Sequence, residues 1–187
     1  MIKELETYKK TINGILKIAN NVFNELGPGF EETDYQTALQ IEFSQSKDFE
    51  SLRETVVELF YKDQYLKFGE LDFLITPKPE SKSYPFPFFI ETKVINDEEP
   101  KAAPLDQIRR YLMSLPKNNS SLVNKIEVAA LLVFIKDSKI IGGEPIEKDG
   151  NKILKREPTY PGMPETKVYI KSYYYDSSDK TIKLIDD

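Results

Sequence analysis

The 187-residue sequence contains no cysteine, which excludes disulfides, thiolate nucleophiles, zinc–thiolate sites and iron–sulfur clusters. It contains no histidine either, so there is no imidazole base, no Ser-His-Asp triad and no histidine-ligated metal. Acid–base or metal chemistry is left to carboxylates, lysine, tyrosine, backbone groups and water. Oxygen-only ligation favours hard ions such as Mg²⁺ or Mn²⁺ over zinc or copper. Long apolar runs are also missing: none approaches the roughly 20 residues of a membrane span. The opening MIKELETYKK leads into an amphipathic stretch rather than a secretory signal. The expectation is therefore a cytoplasmic protein with no membrane partner. A formal charge of −5 argues against generic polyanion binding. Contact with nucleic acid would need a local basic surface, or a metal offsetting an acidic site.

Apolar residues make up 40% of the chain, enough for the packed core of one domain. Residues 4–26 read as a helix, with Ile12, Ile15, Leu16, Ala19, Val22, Phe23 and Leu26 in one apolar stripe. Gly27-Pro28-Gly29 ends it. A second helix is expected from Glu31 to Ser46, with Tyr35, Leu39 and Phe43 on one face. Thr55–Tyr61 and Tyr65–Ile75 read as a hairpin turning at Lys62-Asp63-Gln64. Four prolines make residues 76–87 a loop. Phe88–Ile95 (FFIETKVI) has the pattern of a strand buried on both faces. A helix over Pro104–Leu115 and a buried strand over Ile126–Ile135 follow. This order predicts an α/β sandwich. In the tail, Lys167–Tyr175 and Thr181–Ile185 flank a DSSD turn, the pattern of a hairpin. The expected organisation is a core over residues 1–136, with residues 137–187 as a β-rich extension packed on the same domain.

Four features carry chemistry: Glu32 at a helix start, Asp72 late in a strand, Glu91-Thr92-Lys93 on the central strand, and Gln107 with Tyr111 on the later helix. Strand alternation puts Glu91 and Lys93 on one side and Thr92 on the other. Charges flanked by FFI and VI are costly if buried unpaired. A shared site, in which Asp72 and Glu91 hold a metal beside Lys93, would offset that cost. Glu32 could add a ligand, and Lys93 could orient or deprotonate a water or balance transition-state charge. Gln107 and Tyr111, four apart, share a helix face and could contact water or phosphate. Each feature alone has a plainer reading. Glu32 suits a helix start, Glu91 and Lys93 suit a same-face strand ion pair, and Gln107 and Tyr111 suit a helix surface. Gly29 reads as a turn glycine, and Tyr35 equally as core or site. Arg109, Arg110 and Lys101 read first as a solvated helix face, with phosphate contact as the alternative. The tyrosines of YIKSYYY suit packing better than base stacking.

Taken in order, these positions resemble the PD-(D/E)XK nuclease superfamily, of restriction-endonuclease-like fold. More narrowly, NELGPGFEETDYQTAL is similar to the GxxExxY branch, matched by Gly29, Glu32 and Tyr35. GELDFLI (Asp72), FIETKV (Glu91, Lys93) and DQIRRYL (Gln107, Tyr111, Leu112) supply the later motifs, and the resemblance covers roughly residues 12–135. It implies a central mixed β-sheet flanked by helices and metal-dependent cleavage of DNA or RNA. The Gln-x-x-x-Tyr element is similar to that of exonuclease-type members, which often form rings or dimers. Asp72 is preceded by Glu70-Leu71 and not by proline, the loop before Glu91 is long, and the segment after residue 136 has no counterpart. The resulting expectation is a Mg²⁺- or Mn²⁺-dependent nuclease, DNA preferred over RNA. Asp72, Glu91 and Glu32 would be its metal ligands, Lys93 the residue acting on water or charge, and Gln107 and Tyr111 its substrate contacts. The alternatives are a catalytically silent binding module of the same fold, or a phosphoesterase acting on nucleotides.

Overall fold

The computed structural model describes residues 4–27, 29–95, 102–135, 145–148, 151–154 and 168–185. Helix α1 (Leu5–Leu26) buries Tyr8, Ile12, Ile15, Ala19, Val22 and Phe23, with Leu16 and Leu26 half-buried beside them. Its end is closed by the Gly27 N–H, which donates to the Phe23 carbonyl at 2.7 Å and satisfies an otherwise orphaned group. Gly29 has φ of 107°, a left-handed value that favours glycine, so the turn explains it. Helix α2 (Glu32–Ser44) begins with a capping box between Glu31 and Asp34. Tyr35, Leu39 and Phe43 are buried on its inner face. The Tyr35 ring stacks on Phe134 at 4.4 Å and its hydroxyl donates to the Gly27 carbonyl at 2.6 Å. Tyr35 is a core aromatic.

The remaining strands and α-helix in chain order are β1 (Phe49–Tyr61), β2 (Gln64–Pro77), β3 (Phe88–Ile95), α3 (Ala102–Ser114), β4 (Val128–Ile135), β5 (Pro145–Lys148), β6 (Asn151–Leu154), β7 (Val168–Asp176) and β8 (Thr181–Leu184), with short 3-10 turns at Leu115–Lys117 and Val123–Lys125 between α3 and β4. Six strands form one mixed sheet in the order β1-β2-β3-β4-β7-β8, and β5 pairs with β6 separately. β3 and β4 run parallel at its centre and the other neighbours are antiparallel. β4 (VAALLVFI) is buried at every position, as a continuous apolar run sandwiched on both faces should be. One apolar cluster fills the space between the sheet and α1 with α2, built on Ile15, Leu39, Phe43, Phe73, Ile90 and Phe134. A second cluster, with Leu71, Phe89, Ile108, Leu112 and Leu131, lies under α3. Among the described residues, no helix is long and apolar enough to cross a membrane.

Two differences from the sequence expectation have physical causes. β1 begins at Phe49 rather than Thr55, because Phe49–Arg53 pair residue for residue with Pro77–Phe73 of β2. Backbone pairing overrides the weak strand propensity of that polar stretch. The tail hairpin also does more than extend the molecule: β7 pairs along β4 from Val128 to Phe134, and the Tyr8 hydroxyl donates to Ser172 Oγ at 2.9 Å, tying α1 to it. Tyr173 is buried, and Tyr169 and Tyr175 pack against the α3-side cluster, so these tail tyrosines serve packing.

Candidate active site

Alternation along β3 sends Ile90 and Thr92 toward α1 and α2, and Phe89 and Glu91 toward α3. In β2 the alternation breaks at Asp72: Leu71 joins the α3-side cluster, whereas Phe73 joins the other. The break faces Glu54 of β1, which takes a left-handed φ of 52°. Asp72 therefore sits where β2 changes faces. Its Oδ2 accepts hydrogen bonds from the backbone N–H and the hydroxyl of Thr92, both at 2.7 Å.

Glu91 is 0% exposed, and neither of its carboxylate oxygens has a hydrogen bond of good geometry. The Lys93 ammonium forms an ion pair with it at 2.8 Å (Nζ to Oε1) and reaches Glu32 Oε1 at 3.1 Å. Glu32 Oε2 accepts from the Val94 N–H at 3.4 Å. Burial, reinforced by the Asp72 charge, raises the Glu91 pKa from an ordinary 4.5 to about 7 despite Lys93. Burial alone would lower the pKa of Lys93, but the carboxylates of Glu91, Glu32 and Asp72 outweigh it and hold the ammonium above its usual value. Lys93 is thus a firmly charged cation among three acids, better suited to balancing charge or orienting a water than to taking a proton.

From the α3 side, the Tyr111 hydroxyl donates to the Glu70 carbonyl at 2.7 Å and accepts from the Glu70 N–H at 3.3 Å. Burial raises its pKa, a Gln107 hydrogen bond opposes the shift, and the charges of Glu91 and Asp72 add to it. The single proton of Tyr111 is committed to the Glu70 carbonyl. The tyrosine ring explains Gly69: a Cβ there would meet Tyr111 Cε1 at 2.7 Å. Arg109 is tied to the β7–β8 turn through the Lys180 carbonyl at 3.3 Å, and Lys101 lies outside the described residues.

Of the residues singled out in the sequence, Glu32 and Glu91 meet at Lys93 and Asp72 joins the same strand through Thr92, whereas Tyr111 bonds the β2 backbone at Glu70. Sequence reading named Thr92 without giving it a role, and missed Gln36 and Gly69. Gln36 carried a signal, being four residues after Glu32 and so on the same helix face. Thr92 did as well, as the polar residue facing away from Glu91 and Lys93 in an apolar strand. Among the described residues, no three acids stand close enough to form a ready-made metal cage. The donor set nevertheless fits a divalent cation. Glu91 has Lys93 at Oε1 but keeps Oε2 buried without a partner among the described residues, an arrangement native proteins rarely leave uncompensated, and oxygen donors are what Mg²⁺ and Mn²⁺ take.

The mixed sheet with helices on both faces is a restriction-endonuclease-like core. A family model for the PD-(D/E)XK nuclease superfamily matches residues 9–130. The chain belongs to that superfamily, which implies a nuclease-type activity on nucleic acid and a general use of divalent metal. No curated protein and no solved structure matches it.

Proposed function

We propose that this chain is a Mg²⁺- or Mn²⁺-dependent nuclease that hydrolyses phosphodiester bonds in DNA. The observation that carries the reading is Glu91, a carboxylate with no exposure whose one charged partner is Lys93 at Oε1 and whose Oε2 is left without a partner among the described residues. With Glu32, now paired with Lys93, as an accessory ligand, Asp72 and Glu91 would hold the cation. When bound, it supplies charge neutralisation for the phosphate and lowers the pKa of a water. Lys93, kept protonated by its three acids, orients the attacking water or balances the charge that develops on the phosphate oxygens. Gln107 offers its amide to substrate or water. Tyr111 holds the β2 backbone in place at Glu70. The spacing of Gly29, Glu32 and Tyr35 supports the GxxExxY branch, and the Gln-x-x-x-Tyr element favours an exonuclease-like mode.

The test is cleavage of labelled single- and double-stranded DNA and RNA with Mg²⁺, Mn²⁺ or EDTA, alongside Asp72→Ala. Metal-dependent cutting of DNA that the variant loses supports the proposal. Full activity in Asp72→Ala sinks the site assignment. No cutting of any polymer and no thermal shift with Mn²⁺ would make the chain a silent binding module, and turnover of mononucleotides alone would make it a phosphoesterase.

A further inference from the structure

Asp72 is the end of a chain of hydrogen bonds that begins on residues outside the predicted constellation. Thr92 is fully buried and gives Asp72 Oδ2 two donors, its N–H and its hydroxyl, both at 2.7 Å. A hydroxyl has one proton and an ionised carboxylate can only accept, so that proton goes to Asp72. The Thr92 oxygen must then be an acceptor, and Gln36 Nε2 supplies the donor at 2.7 Å. The direction of the chain depends on which end of the amide faces the threonine. Arg53 settles it: its Nη2 lies 3.3 Å from Gln36 Oε1, and a guanidinium only donates. The donor order runs in one direction, from Arg53 to Gln36 to Thr92 to Asp72.

We infer that Thr92 and Gln36 are positioning residues that hold the Asp72 carboxylate in one rotamer for a divalent cation. This rests on the metal-binding reading above. Both bonds fall on Oδ2, and the other carboxylate oxygen has no hydrogen bond among the described residues, so it is the one left for a ligand. Thr92 points to the α2 side of β3, away from Glu91 and Lys93, and acts through Asp72 without touching substrate. Charge-assisted bonds of this kind are short and roughly twice as strong as neutral ones, and partners behind a metal ligand commonly matter to affinity.

Two substitutions separate positioning from packing, because they remove different halves of the side chain. Thr92→Val keeps the methyl group and the volume but deletes the hydroxyl. Thr92→Ser keeps the hydroxyl and deletes the methyl. The readout is binding of Mn²⁺ alone, followed by the electron paramagnetic resonance signal of the free ion, on protein shown to be folded by circular dichroism. Positioning predicts Mn²⁺ binding weaker by roughly 10- to 100-fold in Thr92→Val, with Thr92→Ser close to wild type. Packing predicts the reverse order. Equal affinity in Thr92→Val and wild type, or Thr92→Ser as weak as Thr92→Val, overturns the inference. Absence of Mn²⁺ binding by the wild type is a different result, and it overturns the metal reading itself. Thr92→Val strands the buried Gln36 amide, so the paired variant Thr92→Val/Gln36→Leu, which removes both partners and restores an apolar contact, carries the same prediction if the single variant does not fold.

Discussion

Replacing Glu91 by Gln should make the metal-free protein more stable at neutral and alkaline pH while removing its response to Mn²⁺. The folded-state pKa of Glu91 is raised from an ordinary 4.5 to about 7. Between those values the folded chain binds more protons than the unfolded one, so stability falls as pH rises. The contribution is intact below the unfolded value and is lost as pH climbs through the folded one. A displacement of that size corresponds to about 3 kcal/mol at pH 8, at 1.36 kcal/mol per unit. Glutamine keeps the shape and does not titrate. It also withdraws one anionic partner from Lys93, so the figure is a ceiling. In a chain of this length it corresponds to a rise in Tm of at most roughly 6–12 °C. The assay is thermal unfolding from pH 5 to 8, with EDTA and with Mn²⁺. The expected pattern is a stability difference that grows with pH in EDTA and closes or reverses in Mn²⁺, where only the wild type gains from binding. A variant destabilised by the same amount at every pH, or one that keeps the full Mn²⁺ shift, would refute the reasoning.

Two other substitutions probe the same neighbourhood. Lys93→Met leaves Glu91 buried without its cation, and should abolish cleavage while costing roughly 3 kcal/mol at pH 8. The loss should shrink at pH 5, where Glu91 is protonated, and urea titrations at the two pH values would show whether it does. Gly69→Ala drives a Cβ against the Tyr111 ring and toward Leu59 Cδ1 at 3.1 Å, and should cost about 1–3 kcal/mol. A double-mutant cycle with Tyr111→Ala should recover most of that cost, and strict additivity would show that the close approach is not its source.

The sequence by itself determined a good deal. The apolar runs of Phe88–Ile95 and Ile126–Ile135 read as buried strands, and alternation within the first put Glu91 and Lys93 together on one side. Helical periodicity placed Tyr35, Leu39 and Phe43 inward, and Gly29 marked its turn. These features are local, set by side-chain period and backbone preference over a few residues. The short β5–β6 pair was also within reach, since Asp149-Gly150 is a hairpin signal. Tertiary structure decided the rest. Whether Phe49–Arg53 forms a strand depended on β2 lying beside it, and the place of β7 depended on the open edge of β4. Nothing within TKV says that Thr92 will grip Asp72, or that Gln36, 56 residues away along the chain, will donate to it. Alternation says only that Thr92 faces away from Glu91. Which residue it meets there is fixed by how α2 packs across the sheet, and that packing also brings Glu32 to Lys93.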